Sequence, residues 1–276
     1  MEHESTTVTF DLDAICRPAA IGITRAYVFL GLGLNAANDS RLTEYHLPGK
    51  AGMRFVPDAQ SAEVVSEYKR EFAVWILAGA MREAMESFAA FLDRLFEHCL
   101  VADDLANRRA ESQKAALNEF ERAGVDGKLR RMEQRFGLKT NIADEFQSLW
   151  QARNCLTHRR GMVGSEDCKD PLEPGKLVVK FGAWEVFASQ PDGSEIVLNE
   201  DAFSQGGVLL RDGGMISLRV TTHQVEFPIG SVITFQPQDL TNVFTSIYMA
   251  VNNLRVAFAK FIEGLNARTE AEPESD

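Results

Sequence analysis

One short segment collects most of the side chains that could act on a phosphate group. It contains Arg153, Asn154, His158, Arg159 and Arg160. An imidazole can accept or donate a proton near neutral pH, and a guanidinium can hold a phosphate through two hydrogen bonds. The other four histidines have no comparable set of neighbours in the sequence. The segment is therefore the first candidate for a chemical site.

The spacing within this segment limits how a single helix can use it. Asn154 and His158 are four residues apart, so they share one helical face. Arg153 and His158 are five residues apart, which separates them by about 140° around the helix axis. Bringing both to one phosphate requires a distorted helix end or a second copy of the segment across a twofold axis.

The charge distribution points to the same segment. The whole chain has a net charge of −11, which excludes a general nucleic-acid-coating protein because most of its surface would repel phosphate. Residues 128–160 reverse the sign, with eight basic and three acidic side chains. A basic segment on an acidic protein predicts a local phosphate site.

Composition places the chain in a broad class. Its 276 residues and 45% hydrophobic content predict a globular protein with a properly buried core. The four cysteines form no C-x-x-C pair and fit no zinc spacing. We therefore expect free thiols, a reducing cytoplasm, no metal and no cofactor. The acidic N-terminus lacks the features of a secretory signal.

The first two thirds of the chain predict mainly helices. Residues 7–12 alternate in polarity and predict a short edge strand, and residues 19–37 predict a buried helix rather than a membrane span, because Arg25 interrupts them. The strongest apolar periodicity predicts a long helix, or two in line, over 60–101. Shorter helices are predicted over 103–123, over 128–136 and from an Asn141 N-cap to His158. Gly161 and Gly164 then break the chain.

A change of period follows Gly164. The patterns predict strands at 177–187, 196–198, 208–210, 215–220, 225–227 and 232–235. A final helix is predicted over 240–261. The expected fold is mainly α with a small antiparallel β insertion before the last helix, and α+β overall. The expected divisions are an N-terminal segment over 1–58, a bundle over 59–164, a β-rich insertion over 165–237, a closing helix over 238–265 and an acidic disordered tail over 266–276.

The run LWQARNCLTHRRG resembles the signature of the HEPN superfamily, in which four to six residues stand between an Arg and the following His. Here the signature is Arg153-Asn154 followed, after three residues, by His158. The helices before the motif and the closing helix also look like a HEPN bundle, over about residues 60–160 and 238–264. Arg160 stands where one subgroup has a tyrosine that a nucleotidyltransferase modifies, which argues against that subgroup.

The resemblance implies a metal-independent endoribonuclease that acts as a homodimer. The RNA 2′-OH would attack the phosphate and leave a 2′,3′-cyclic end, with His158 as general acid or base, Arg153 stabilising charge and Asn154 orienting. It also implies a toxin or antiviral defence effector, with an antitoxin or other protein as partner and no membrane. The candidate contacts to the RNA backbone are Arg130, Arg131, Arg135, Arg159 and Arg160.

Other interpretations of the same residues stay open. Arg153, His158 and the following arginines can serve as cations at a helix C-terminus, and helix 128–136 can be a solvated basic face. The chain can then be a non-catalytic HEPN-like module that binds RNA or a nucleotide. It can equally be an interaction protein whose apolar helices join a second subunit.

Overall fold

The computed structural model describes residues 8–42, 61–107, 113–198 and 213–271. These residues form a mostly helical α+β fold with a small antiparallel sheet, which confirms the predicted class. The helices are α1 (Leu12–Asn38), α2 (Ala62–Asn107), α3 (Gln113–Glu121), α4 (Val125–Phe136), α5 (Ala143–His158) and α6 (Pro237–Ala271). The strands are β1 (Lys176–Ser189), β2 (Glu195–Val197) and β3 (Met215–Pro228), in the order β2-β1-β3.

Helix α2 is the central element of the core. The predicted periodic residues Met81, Met85 and Phe88 are fully buried on it. The Phe88 ring stacks on Phe146 of α5 at a centroid distance of 4.4 Å. One continuous helix covers both predicted segments, and Leu77 and Met81 are buried on either side of the small residues 78–80.

The sheet packs on α5 and α6. Strands β1 and β3 pair antiparallel from Lys176 opposite Pro228 to Ser189 opposite Met215, so the two strands predicted within 215–227 are one. Two serine hydroxyls join the layers. Ser148 of α5 accepts a 2.8 Å hydrogen bond from the Lys180 amide, and buried Ser246 of α6 accepts one of 2.8 Å from the Gly182 amide. The predicted strand at 208–210 lies outside the described residues.

The prediction of an N-terminal edge strand is wrong for the residues that the structure describes. Residues 8–11 form no strand, and Asp11 is instead the N-cap of α1, accepting a 2.9 Å hydrogen bond from the Ala14 amide. A side-chain acceptor at this position satisfies one of the first free amides of a helix. Helix α1 therefore starts at Leu12, seven residues before the predicted apolar stretch.

Helix α1 joins the core through one face, as predicted, but its opposite face is exposed, so the helix is not buried all round. Small residues bring it close to α2, where a Cβ on Gly33 would lie 2.7 Å from the Ile76 side chain. On the rest of its surface Ile21, Val28, Phe29 and Leu32 are exposed. By length and composition alone α1 could cross a membrane, with 28% of its most apolar window buried. A single helix of this kind is weak evidence, since core helices meet the same criteria.

Several predicted boundaries move. Helix α2 extends to Asn107 and α3 covers Gln113–Glu121, and the part of the predicted helix 103–123 between them lies outside the described residues. The N-cap of α5 is Ile142 rather than Asn141, with no side-chain cap, and Asp144 and Glu145 supply the negative charge that the first turn favours. Residues 232–235 form only one bridge, between Val232 and Met162. Residues 266–271 continue α6 instead of joining the expected disordered tail, whose remainder lies outside the described residues.

Candidate functional site

The Arg153–His158 motif occupies the last turns of α5. The helix ends at His158 as predicted, and Arg160 and Gly161 follow in the left-handed region with φ of 53° and 82°. The Gly161 amide donates a 3.1 Å hydrogen bond to the Cys155 carbonyl, which closes the helix end. Left-handed backbone is strained for Arg160 but not for Gly161. The turn directs the chain back along α5 toward the sheet.

Arg153 faces α2. Its side chain is 16% exposed, and Nη2 donates a 2.6 Å hydrogen bond to Glu86 on α2. The guanidinium also lies over the Trp150 ring, with Cζ 4.9 Å from the ring centroid. Nε is buried and has no acceptor among the described residues. Arg153 is thus held by an ion pair and an aromatic face, and one of its donors is unsatisfied.

His158 lies on another side of the same helix. Its side chain is exposed and forms no hydrogen bond or ion pair with any described residue. Asn154, which shares its face, accepts a 3.1 Å hydrogen bond from Arg153 Nη1. The helix is undistorted through the motif, so Arg153 and His158 diverge within one copy as their spacing predicts.

Arg159 anchors the loop that follows the motif. It donates from Nε to Asp167 at 3.0 Å and also from Nη2 to the same carboxylate. Asp167 is 3% exposed and accepts a third hydrogen bond, of 2.9 Å, from the Gly164 amide. A buried carboxylate needs such partners to be stable. The structure thus gives Arg159 a positioning role that its sequence context did not reveal.

Folding neutralises much of the basic segment. Six of its eight cations form ion pairs with carboxylates: Lys128 with Asp93, Arg130 with Asp126, Arg131 with Glu119, Lys139 with Glu133, Arg153 with Glu86, and Arg159 with Asp167. Among the residues that the structure describes, Arg135 and Arg160 form no ion pair. Arg135 lies over the Phe136 ring. A count of charges along the sequence could not include the carboxylates that other elements contribute.

A polar cleft lies between α5, β1 and the loop after the motif. Its volume is about 270 Å³. We call it the α5–β1 cleft and define it by Gln147, Gln151, Lys169, Asp170 and Lys180, which line it with Asp144, Ser148, Pro171 and Val178. Sequence reasoning missed it. The spacing of Gln147, Gln151, Asn154 and His158 at intervals of four, three and four was the available signal.

Cysteine and metal chemistry find little support in the described residues. No group of three or more potential ligands for a metal ion occurs in them. Cys155 donates a 3.2 Å hydrogen bond from Sγ to the Met162 carbonyl. Burial and the nearby Asp167 carboxylate raise the pKa of the Cys155 thiol to about 11, so it stays protonated and is a poor nucleophile near neutral pH.

No family model matches this chain, and neither a curated protein nor a solved structure matches it. The resemblance to the HEPN superfamily therefore depends on the motif and on the order of the helices alone.

Proposed function

We propose that this protein is a metal-independent endoribonuclease built on a HEPN-like helical bundle. The RNA 2′-OH attacks the adjacent phosphorus, the 5′-oxygen leaves, and a 2′,3′-cyclic phosphate remains. The observation that supports this most is Arg153, a largely buried guanidinium with an unsatisfied Nε at the start of the motif. Buried polar groups without partners are rare and call for an explanation such as a ligand.

His158 and Arg153 take different parts in this reaction. His158 is solvent-accessible and can exchange a proton with the 2′-OH or the leaving 5′-oxygen near neutral pH. Arg153 places its positive charge close to the charge that develops on the phosphate oxygens. Asn154 fixes Arg153 through its hydrogen bond to Nη1.

A homodimer supplies the geometry that one copy lacks. Exposed apolar residues Val64, Phe72 and Trp75 follow one face of α2, and the same face continues to Glu86, the ion-pair partner of Arg153. Glutamates and basic residues interrupt this section of α2, which suits a protein surface better than a lipid. A second copy docked here would bring its motif toward the first across a twofold axis.

The wider role follows from the resemblance alone, which is an association and not a mechanism. We propose a cytoplasmic toxin or antiviral defence effector that cuts cellular RNA. An antitoxin or another protein partner would cover the motif until release. The basic candidates that are exposed and form no ion pair with a described residue, Arg135 and Arg160, would contact the RNA backbone.

A second function is favoured by the contacts of Arg153. Its ion pair with Glu86 and its position over Trp150 also suit a structural role. The chain would then be a non-catalytic module that binds RNA or a nucleotide, or joins a protein partner through its exposed apolar helices. In that case purified protein binds a partner and never cuts RNA.

The deciding experiment is incubation of the purified full chain with a mixed RNA pool in EDTA. His158→Ala should lower cleavage by about a hundredfold or more, and wild type should leave 2′,3′-cyclic ends. His223→Ala, another exposed histidine outside the motif, is the matched control and should cleave normally. Unchanged cleavage by His158→Ala would overturn the assignment, and RNA binding without cleavage by wild type would favour the second function.

A further inference from the structure

The α5–β1 cleft lies on the side of α5 that carries His158. Gln151 and His158 are seven residues apart, so they lie about 20° apart around the axis and about 10 Å apart along it. Gln147 lies one further turn away on the same face. A chain laid along this face from His158 reaches the cleft after one or two nucleotides. Arg153, by contrast, faces α2.

The cleft is built by fixed elements rather than by a surface loop alone. Ser148 joins α5 to β1 through the Lys180 amide. The Arg159–Asp167 pair holds the loop that leads to Lys169. Asp170 accepts a 2.9 Å hydrogen bond from the Leu172 amide and lies 3.6 Å from Lys180 Nζ. The walls of the cleft are thus set before any ligand arrives.

The side chains of the cleft suit a nucleotide. Lys169 is exposed and forms no ion pair with any residue that the structure describes, so its charge is available to a phosphate. Gln147 and Gln151 each offer an amide donor and an acceptor to the edge of a base. Asp144 can accept from an exocyclic amino group. Together these groups provide both a phosphate contact and a means of distinguishing bases.

We propose that the α5–β1 cleft binds the nucleotides of single-stranded RNA next to the phosphate that His158 acts on. Lys169 and Lys180 contact the RNA backbone, and Gln147 and Gln151 contact a base. The proposal rests on the proposed ribonuclease function and extends it, because it names a binding subsite outside the motif. In this proposal the loop after α5 forms one wall of that subsite.

The test measures binding separately from cleavage. The His158→Ala chain keeps RNA intact, and a short fluorescein-labelled RNA of mixed sequence is titrated into it. Lys169→Ala and Lys180→Gln should each raise the Kd by about tenfold. Each should also lower the slope of log Kd against log salt by about 0.7. Gln151→Ala should alter the preference among RNA sequences more than the salt slope.

Matched variants control for charge and folding. Lys260→Ala removes an exposed lysine of α6, and Gln238→Ala removes an exposed amide at its start. Both should bind RNA as the parent does. Thermal unfolding of every variant checks the fold. If Lys180→Gln does not fold, the test depends on Lys169→Ala. Cross-linking of 4-thiouridine RNA should label peptides from residues 143–158 and 164–180.

The outcomes separate this proposal from the function on which it rests. RNA binding that is insensitive to the cleft variants overturns the subsite and leaves the ribonuclease assignment standing. Cleft-dependent binding without cleavage by wild type supports the subsite and contradicts the nuclease. AMP is titrated into the same variants. If the cleft variants lose AMP binding while their RNA binding is unchanged, the cleft is a site for a free nucleotide and the proposal is overturned. Absence of any RNA binding overturns both.

Discussion

The two sides of α5 use their polar groups in opposite ways. On the closed side, Arg153 is shielded by α2, paired with Glu86 and placed over Trp150. On the open side, His158 is exposed and Gln147 and Gln151 border a polar cleft. One helix therefore carries a cation that the fold itself uses and a row of polar groups that the fold leaves accessible.

The difference shows how a motif can be divided between structure and chemistry. A largely buried guanidinium needs an ion pair and hydrogen bonds merely to be tolerated, so Arg153 contributes to stability whatever else it does. An exposed imidazole carries no such requirement. Loss of stability and loss of activity should therefore separate on the two sides, and the following variants test that separation.

The largest effect on stability is expected from Asp167→Ala in the loop that follows α5, outside both sides of the helix. Asp167 is the buried carboxylate of this loop, and the change leaves Arg159 and the Gly164 amide without their shared acceptor. We expect a loss of about 3 kcal/mol in the free energy of unfolding, measured by urea denaturation. Glu166→Ala, which removes the exposed second partner of Arg159, should cost less than about 0.5 kcal/mol. Equal costs would show that the loop is not held as described.

Arg153→Ala should come next in its effect on stability. It removes the ion pair to Glu86 and the contact with Trp150, and we expect a loss of about 2 kcal/mol. His158→Ala should change stability by less than about 0.5 kcal/mol, although both variants should lose cleavage. Thermal and urea unfolding of the pair check this directly. A His158→Ala chain as destabilised as Arg153→Ala would remove the distinction between the two sides.

Glu86→Gln tests the closed side of α5 by removing the negative charge beside Arg153. Glu86 is 54% exposed, so the loss of its charge should cost less than about 1 kcal/mol. The amide oxygen still accepts from Arg153, but it no longer competes with a phosphate for the guanidinium. We therefore expect the KM for RNA to fall severalfold with kcat nearly constant. An increase in KM would mean that the Glu86 carboxylate positions Arg153 for the reaction.

Elements with a strong period could be predicted from the sequence. The apolar spacing through Met81, Met85 and Phe88 predicts α2, and the end of α5 at His158 is correct, because both depend on local pattern. The start of α1 could not be read in this way. Asp13, Arg17 and Pro18 interrupt the apolar pattern over the first turns of this helix, which Asp11 caps.

For the candidate site, too, local geometry could be predicted from the sequence and tertiary contacts could not. Helix geometry alone predicts that Arg153 and His158 diverge, and they do. The partners of the cations could not be predicted, because Glu86, Asp93 and Glu119 come from helices that only the tertiary fold brings near. The α5–β1 cleft depends on β1, a strand that begins 18 positions after the end of α5. The spacing of the polar residues on α5 indicates a shared helical face, but only the position of β1 shows that this face borders a cleft.

The smallest expected effect concerns Arg160, where the two sides meet at the end of α5. Its φ of 53° is strained for a residue with a Cβ, so Arg160→Gly should raise stability by about 0.5 kcal/mol after the entropic cost of glycine. If Arg160 contacts the RNA backbone, the same change should weaken binding and lower the salt slope by about 0.7. Thermal unfolding and RNA titration measure the two effects separately.

Arg160→Asn distinguishes charge from backbone strain. Asparagine tolerates the left-handed region but lacks the cation, so it should weaken RNA binding as much as glycine does while gaining less stability. Arg160→Lys keeps the charge and should bind RNA nearly as the parent does. If all three variants bind RNA equally well, Arg160 serves only to turn the chain from the motif toward the α5–β1 cleft, and the RNA path must leave His158 in another direction.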